Sequence, residues 1–262
     1  MADILPLLLR IARADHADQV WTLAVAHFRN FGFARANYGF TRFRSERSMG
    51  DPDDALFLTS CDATFVTHYF RDNFYARTPI FKWCVKNTGA TTWSWVKEAL
   101  IAGRLSPDEA ETLRQNALIG VTAGLSISFA DTSARAKGAL GLIADVGLAT
   151  EDVERIWAAH RPEIEVVAQM MHLKLIQFPI ASRRRALTLR QRETLEWVAD
   201  GKTSQDVATI MGVSAAMVEK HLRLARDALL VDTTAQAVAK ATLLNLIFHH
   251  EAPGSSGAVA AR

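Results

Sequence analysis

The chain has 262 residues, of which 49% are hydrophobic and 22% are charged, and its formal net charge is +2. This length allows two ordinary folded domains, and the composition is that of a soluble globular protein and argues against a disordered one. The two cysteines exclude a disulfide scaffold. Because the net charge is so small, any affinity for nucleic acid has to come from local clusters of basic residues.

The N-terminal part of the chain alternates between helical and strand patterns. The apolar core of its first 16 residues is interrupted by Arg10 and is followed by no small-residue cleavage site, so we do not expect a signal peptide. Hydrophobic spacing then predicts the following elements: a helix over 18–31, strands over 33–43 and 55–60, a helix over 62–74 and a short strand over 91–95.

The next segments complete a mixed domain. Ser106, Pro107 and Glu109 have the order of a capping box with a proline at the first helical position, so a helix begins there. Residues 124–130 and 138–145 alternate like an antiparallel pair of strands, and 149–176 predict a helix or helix pair with a break or kink at Pro162. Residues 1–176 therefore read as an α+β sandwich, with helices around a central antiparallel sheet.

The composition changes after residue 176. Residues 177–186 combine a proline, small residues and three adjacent arginines, as linkers do, and residues 251–262 predict a flexible tail. Between them, residues 187–250 predict a small all-α domain of four short helices, each preceded by a hydroxyl residue that can cap it: Thr188, Thr203, Ser214, and Thr233 or Thr234.

The spacing within residues 201–222 is typical of a helix-turn-helix. Ala208, Gly212 and Val218 supply a small residue where two helices cross, a glycine for a turn with positive φ, and an apolar residue in the second helix. In that second helix, Lys220, Arg223 and Arg226 fall on neighbouring positions with His221 nearby. Such cations can enter the major groove of DNA, although the charges alone fit a solvated amphipathic helix equally well.

Residues 187–231 resemble the four-helix DNA-binding domain of the LuxR-type transcription regulators. Leu195 and Gly201 fall on characteristic positions of that family, and residues 219–222, Glu-Lys-His-Leu, read like its recognition helix. The resemblance implies DNA contacts by a group of six residues: Thr203, Ser214, Lys220, His221, Arg223 and Arg226. Gln191, Met217 and Leu230 depart from the residues that are usual in the family.

Residues 20–172 are similar, less closely, to the autoinducer-binding domain of the quorum-sensing members of this family. Tyr69 and Trp93 match two aromatic positions of the ligand pocket, Pro79 matches the proline of an Asp-Pro pair, and Gly124 matches a characteristic glycine. The resemblance implies a small-molecule signal, an N-acyl-homoserine lactone or an analogue, and implies no other cofactor.

The departures from this family fall on the polar groups of the pocket. Phe65 replaces a tryptophan that donates to the lactone carbonyl, and Thr78 replaces an aspartate that accepts from the ligand amide. Cys61 and Ala144 stand where tyrosine and serine or threonine are common. We hypothesise a pocket that binds its ligand by contacts other than the usual ones, while the aromatic residues taken alone fit a packed core as well.

No enzymatic or metal chemistry is indicated by the motifs. The glycines at 138 and 141 lack the third glycine of a dinucleotide site, the histidines lack ligand spacing, and Cys61 and Cys84 fit no metal or redox motif. Two lone thiols, and no segment of membrane-spanning length, favour the cytoplasm and exclude a membrane partner.

We therefore predict a ligand-responsive regulator that binds a two-fold DNA site as a homodimer, with the helix near residues 150–175 as the dimer surface. Two alternatives remain. The N-terminal domain could bind a protein and no ligand, or it could be a catalytic sensor.

Overall fold

The computed structural model describes residues 4–45, 49–70, 74–180 and 186–249. They fall into two compact units: the first is formed within residues 4–176 without 50–55, and the second within 177–249 together with 50–55. The predicted tail at 251–262, and residues 181–185 of the predicted linker with their three arginines, lie outside the described part of the chain. No described helix is both long and apolar enough to cross a membrane.

The first unit has eight helices and five strands among the described residues. In chain order they are α1 (Leu5–Ala12), α2 (Ala17–Arg29), β1 (Arg35–Thr41), β2 (Ala55–Thr59), α3 (Ala63–Phe70), α4 (Phe74–Arg77), α5 (Pro79–Lys86), β3 (Gly89–Thr92), α6 (Ser94–Ile101), α7 (Pro107–Leu118), β4 (Gly124–Ser128), β5 (Lys137–Ile143) and α8 (Thr150–Leu175). A short 3₁₀ turn, Pro52–Asp54, precedes β2 in the chain and belongs to the second unit.

The five strands form one sheet in the order β2-β1-β5-β4-β3. The pairings of β1 with β5, β4 with β5, and β3 with β4 are antiparallel, so the predicted α+β class with a central antiparallel sheet is confirmed. The predicted pairing of the two segments near 124–130 and 138–145 is confirmed as β4 with β5. The capping box at Ser106 is also confirmed, since the Ser106 hydroxyl accepts from the Glu109 N–H and the Glu109 carboxylate accepts from the Ser106 N–H.

Two predictions for the first unit were wrong in part. The strand predicted at 91–95 ends at Thr92, because Trp93 leaves the extended conformation (φ −89°, ψ 12°) and becomes the N-cap of α6. The break predicted at Pro162 is absent, and α8 runs unbroken for 26 residues. Pro162 is exposed, and so is Ala158, whose carbonyl loses its helical partner to the proline ring, so water can replace the missing bond.

Helices cover both faces of the sheet. On one face, His172 of α8 stacks on Phe129 with ring centroids 4.0 Å apart and bonds through Nδ1 to the hydroxyl of Tyr38 in β1 (2.8 Å). On the other face, the Ser128 hydroxyl donates to the Cys84 carbonyl of α5 (2.8 Å). Ser128 and Phe129 are adjacent and point to opposite faces, so α8 and α5 lie on opposite faces of the sheet at β4.

The burial of His172 predicts an acid-sensitive core. Desolvation lowers the pKa of His172 from its ordinary 6.5 to about 4, so the folded protein holds this ring neutral while the unfolded chain protonates it. Its contribution to stability is complete above pH 6.5 and is lost as the pH falls towards 4. We expect the free energy of unfolding to fall over this range by about 3 kcal/mol more in the wild type than in His172→Gln, which does not titrate. Urea unfolding at several pH values measures the free energy of unfolding of both proteins. The same dependence of that free energy on pH in the two proteins would contradict the prediction.

The second unit contains the four helices predicted for the C-terminal domain. They are α9 (Leu189–Ala199), α10 (Ser204–Met211), α11 (Ala215–Leu229) and α12 (Thr234–Leu243). Their N-caps are the predicted hydroxyl residues Thr188, Thr203, Ser214 and Thr233, each accepting a bond from a backbone N–H of the first turn. Gly212 has the positive φ expected of it, 64°, and Gly201, just after α9, has a positive φ of 81°.

Candidate functional site

Four of the residues predicted to bind a ligand lie together on the face of the sheet that α5 covers. Phe65 packs in a cluster with Val121 and Ile143, and the partly buried side chains of Cys61, Tyr69, Trp93 and Ile119 pack against it. Phe65 and Tyr69 lie on successive turns of α3, and their rings stack with centroids 5.1 Å apart. The spacing of aromatic residues along one helix thus builds one wall of an apolar site.

Gly124 and Trp93 pack against each other beside this cluster. A Cβ atom on Gly124 would overlap the Leu142 carbonyl oxygen and lie 2.8 Å from the Trp93 indole, so this place in β4 has room only for glycine. The indole N–H of Trp93 donates to the Ser126 hydroxyl at 3.0 Å. The Trp93 ring is therefore held by its packing on Gly124 and by its hydrogen bond to Ser126. Its N–H donor is already used within the protein.

Thr78 and Ala144, the other two residues predicted to bind a ligand, form hydrogen bonds with backbone groups of the protein. Thr78 is 3% exposed and caps α5, where its hydroxyl accepts from the Phe81 N–H (3.1 Å) and donates to the Tyr75 carbonyl (2.8 Å). Its proton is thus unavailable, and one lone pair remains. Ala144 is buried just after β5, its N–H donating to the Ala123 carbonyl.

The side chains around this site are poorly solvated. Desolvation raises the pKa of the Tyr69 hydroxyl, and it raises the pKa of the Cys61 thiol and that of the Cys84 thiol, the last to about 11. Both thiols are therefore protonated and weak nucleophiles near neutral pH. An environment of this kind favours an uncharged or amphipathic ligand over a reaction.

Two polar residues of β1, Arg35 and Asn37, lie near the site and were not among those predicted from the sequence. Arg35 donates to three backbone carbonyls, those of Ile119 (3.2 Å), Gly120 (2.6 Å) and Ala144 (3.0 Å), and joins β1 to the segments beside β4 and β5. Asn37 lies two residues further on the same face. The alternation in 33–43 predicted a strand, and polar residues at every second position of it were the available signal.

The helix-turn-helix has the geometry that its spacing predicted. Val207 and Ala208 of α10 and Val218 of α11 are all nearly or fully buried. Gly212 ends α10 in the left-handed conformation, and the Val213 N–H donates to the Ala208 carbonyl (3.0 Å), which reverses the chain before α11. The Ser204 hydroxyl of α10 donates to the Glu219 carboxylate of α11 at 2.6 Å, and this bond holds the two helices in register.

One face of α11 is buried and the opposite face is open. Val218, Leu222, Ala225 and Leu229 form the buried face. Lys220 and Arg223 are exposed and lie about 60° apart around the helix axis. Arg223 pairs with Asp227 of the same exposed face at 3.2 Å. The open face therefore presents two cations, one of which is partly neutralised.

Arg226 departs from the single cationic face that we predicted. It lies about 120° from Lys220, is half-buried, and donates to the Thr234 hydroxyl of α12 at 3.0 Å. His221 is also half-buried. Ser214 and Thr203 are exposed at the N-termini of α11 and α10, where their hydroxyls cap the helices. Helix N-termini and hydroxyls are frequent phosphate contacts in DNA-binding proteins.

Family comparisons agree with the two units. Residues 16–175 match the family model described as "Autoinducer binding domain", and residues 185–241 match the one described as "Bacterial regulatory proteins, luxR family".

Several known proteins align with most of this chain. The transcriptional activator protein SolR of Ralstonia nicotianae is 29% identical over 89% of this chain and 94% of its own length. AnoR of Acinetobacter nosocomialis is 21% identical over 88% of this chain and 92% of its own. The crystal structure of Escherichia coli SdiA aligns with a TM-score of 0.50 at 19% identity over 93% of this chain and 97% of its own. A structure of SdiA in complex with octanoyl-rac-glycerol aligns with a TM-score of 0.51 at 18% identity, covering 94% of this chain and 95% of that one.

Proposed function

The chain belongs to the LuxR family of quorum-sensing transcription regulators, and we propose that it binds an acyl-homoserine lactone or a related amphipathic molecule and, as a homodimer, a two-fold DNA site. The family is one of transcription regulators and not of enzymes, which argues against a catalytic sensor. The clustering of Phe65, Tyr69, Trp93 and Cys61 on one face of the sheet carries the ligand half of the proposal.

The polar contacts of the ligand have to differ from those of the usual family pocket. Phe65 has no donor, the Trp93 N–H is bonded to Ser126, and the Thr78 hydroxyl donates to a backbone carbonyl. A buried polar group of the ligand that finds no partner would cost about 1–3 kcal/mol. The ligand is therefore an amphipathic molecule that is held mostly by apolar contacts, with its polar atoms bonded by other residues.

The melting temperature of the full chain tests whether the protein binds such a ligand. A molecule that binds only the folded state raises this temperature, and the rise grows with its concentration. We would titrate N-acyl-homoserine lactones of several chain lengths, together with octanoylglycerol. A saturable rise with one of them supports the proposal. No rise with any of them would instead favour an N-terminal domain that binds a protein and no ligand.

The DNA half of the proposal rests on the open face of α11. Lys220 and Arg223 project from a helix whose opposite face is buried, and Ser214 and Thr203 lie at exposed helix N-termini. In helix-turn-helix proteins the second helix enters the major groove, and its basic residues contact phosphates and guanine edges. A cytoplasmic location follows from DNA as the partner.

The exposed side of α8 is the proposed dimer surface. Ala158, Pro162, Val166 and Leu173 are exposed, and their spacing places them within about 80° around the helix axis. Val166 is 36% exposed and Leu173 is 51% exposed. Apolar residues that line up on the exposed side of a long helix are typical of a surface that binds a partner. Two copies joined there would offer two recognition helices to a two-fold site.

Leu173→Glu is expected to weaken the dimer. A charge at this position would be buried against the apolar surface of the second copy, which is costly for an unpaired carboxylate. The variant should sediment as a monomer at concentrations where the wild type is a dimer. Leu118→Glu is the matched control, because Leu118 is 86% exposed at the end of α7 and should leave the assembly unchanged. A dimeric Leu173→Glu variant would exclude this surface.

A further inference from the structure

The two interior strands β1 and β5 are incompletely covered on one face of the sheet. Along each of them buried and half-buried residues alternate, and the half-buried positions are 35, 37 and 39 in β1 and 139 and 141 in β5. Strands inside a five-stranded sheet that lies between helices are normally buried on both faces. Partial exposure of alternate residues thus marks a gap under the helices on one side.

Glycines of these strands show which face has the gap. A Cβ atom on Gly39 would meet no described atom within 4 Å, and one on Gly141 would meet only the Asn37 carbonyl oxygen and the Ser126 hydroxyl, each at 4.0 Å. On the opposite face, a Cβ atom on Gly138 would lie 2.7 Å from the His172 ring. The open space is therefore on the face away from α8.

This face also carries the aromatic cluster. Ile143 of the cluster lies two residues from Gly141 in β5, so both point to the same side. Gly141 pairs with Asn37 on one side and with Ser126 on the other, and Ser126 accepts the bond from Trp93. The gap above Gly141 therefore lies next to the part of the site that Trp93 lines.

Asn37 places an unused donor beside the gap. Its Oδ1 accepts from the Thr59 hydroxyl at 2.6 Å and lies 3.7 Å from the Cys61 thiol, which fixes the orientation of the amide. Its Nδ2 group has no acceptor among the described residues. A half-buried amide with one edge bonded and the other edge open is a ready hydrogen-bond donor for a ligand.

We propose that the space over Gly39 and Gly141 is a ligand subsite and that Asn37 Nδ2 donates to an oxygen of the ligand. The small residues admit an acyl chain or a similar apolar body, and the amide selects a carbonyl or hydroxyl oxygen on that body. This inference rests on the proposed ligand-binding function and adds the residue that replaces the donor missing at Phe65. Asn37 acts here by binding, and no reaction is involved.

Two substitutions test the Asn37 donor and the open space over Gly141 independently. Asn37→Asp keeps the oxygen that accepts from Thr59 but replaces the donor by a carboxylate oxygen, which repels an acceptor. Gly141→Val fills the gap at a strand position that tolerates a branched side chain. Asn30→Asp is the control, since it makes the same exchange at the exposed C-cap of α2. Each variant of the full chain is titrated with N-octanoyl-homoserine lactone and octanoylglycerol while its melting temperature is followed.

For each probe that raises the wild-type melting temperature, we expect Asn37→Asp and Gly141→Val to weaken binding roughly tenfold or more, with Asn30→Asp unchanged. Without probe, Gly141→Val should melt at or above the wild-type temperature. Undiminished affinity in Asn37→Asp would overturn the role of this residue and leave the proposed function standing. A large loss of stability in Gly141→Val without probe would show that the space is filled. A wild type that responds to neither probe would overturn the subsite for acyl compounds, and the wider lactone titration then decides the proposed function separately.

Discussion

Gly124→Ala is expected to destabilise the N-terminal unit more than any other single methyl group added to its sheet. The new Cβ atom would overlap the Leu142 carbonyl oxygen, which belongs to the paired strand β5, and would lie 2.8 Å from the Trp93 indole. The backbone oxygen cannot move without breaking the ladder between the two strands. Overpacking of this kind costs about 3 kcal/mol, which corresponds to a fall in melting temperature of roughly 6–12 °C for a unit of this size.

Gly141→Ala is the matched control for this substitution. It lies in the adjacent strand of the same sheet, and its Cβ atom would have no neighbour closer than 4.0 Å. Calorimetry of both variants should therefore show a large loss of stability for Gly124→Ala and little change for Gly141→Ala. Equal melting temperatures for the two variants would mean that Trp93 does not pack on β4 as described.

The double variant Lys220→Ala, Arg223→Ala is expected to lose DNA binding and keep its fold. Both side chains are exposed on α11, opposite its buried face, so their removal should not change the melting temperature. Removing a side chain that bonds to a base or phosphate costs about 1–3 kcal/mol, so the affinity of the double variant should fall roughly hundredfold. If both side chains bind phosphates, the slope of log affinity against log salt should fall by about two.

Arg190→Ala and Asp227→Asn are the controls for this prediction. Arg190 is an exposed cation of α9 that pairs with Glu193, and its loss should leave DNA affinity nearly unchanged. Asp227→Asn releases Arg223 from an ion pair of 3.2 Å and should raise the affinity. Fluorescence anisotropy with a labelled duplex selected by the wild type measures all of these variants. Unchanged affinity in the double variant would exclude α11 as the recognition helix.

The sequence predicted the C-terminal unit well because its signals are local. Hydroxyl residues at the N-caps and glycines at positive φ are decided within a few residues of the chain, and Thr203, Ser214 and Gly212 have the predicted roles. Arg226 was harder to place. Its spacing already places it about 120° from Lys220 around the axis of α11, but its hydrogen bond to Thr234 depends on how α12 packs against α11, which no local signal gives.

The candidate ligand site was predictable in part. The aromatic residues Phe65, Tyr69 and Trp93 could be identified one by one from the family resemblance, and the structure brings them together. Asn37 and Gly141 could not be found in this way, because their importance depends on the register between β1 and β5 and on the gap above them. The hydroxyl of Thr78 could not be known to be bonded at the start of α5 without its cap geometry.

Selection of binding sites from a random pool of duplex DNA, with and without the lactone that stabilises the protein, tests ligand-controlled DNA recognition most directly. We expect enrichment of a two-fold symmetric sequence whose half-site centres lie about one helical turn apart, with an enrichment that changes when the lactone is added. Failure to enrich any sequence, or the same enrichment in both conditions, would contradict it.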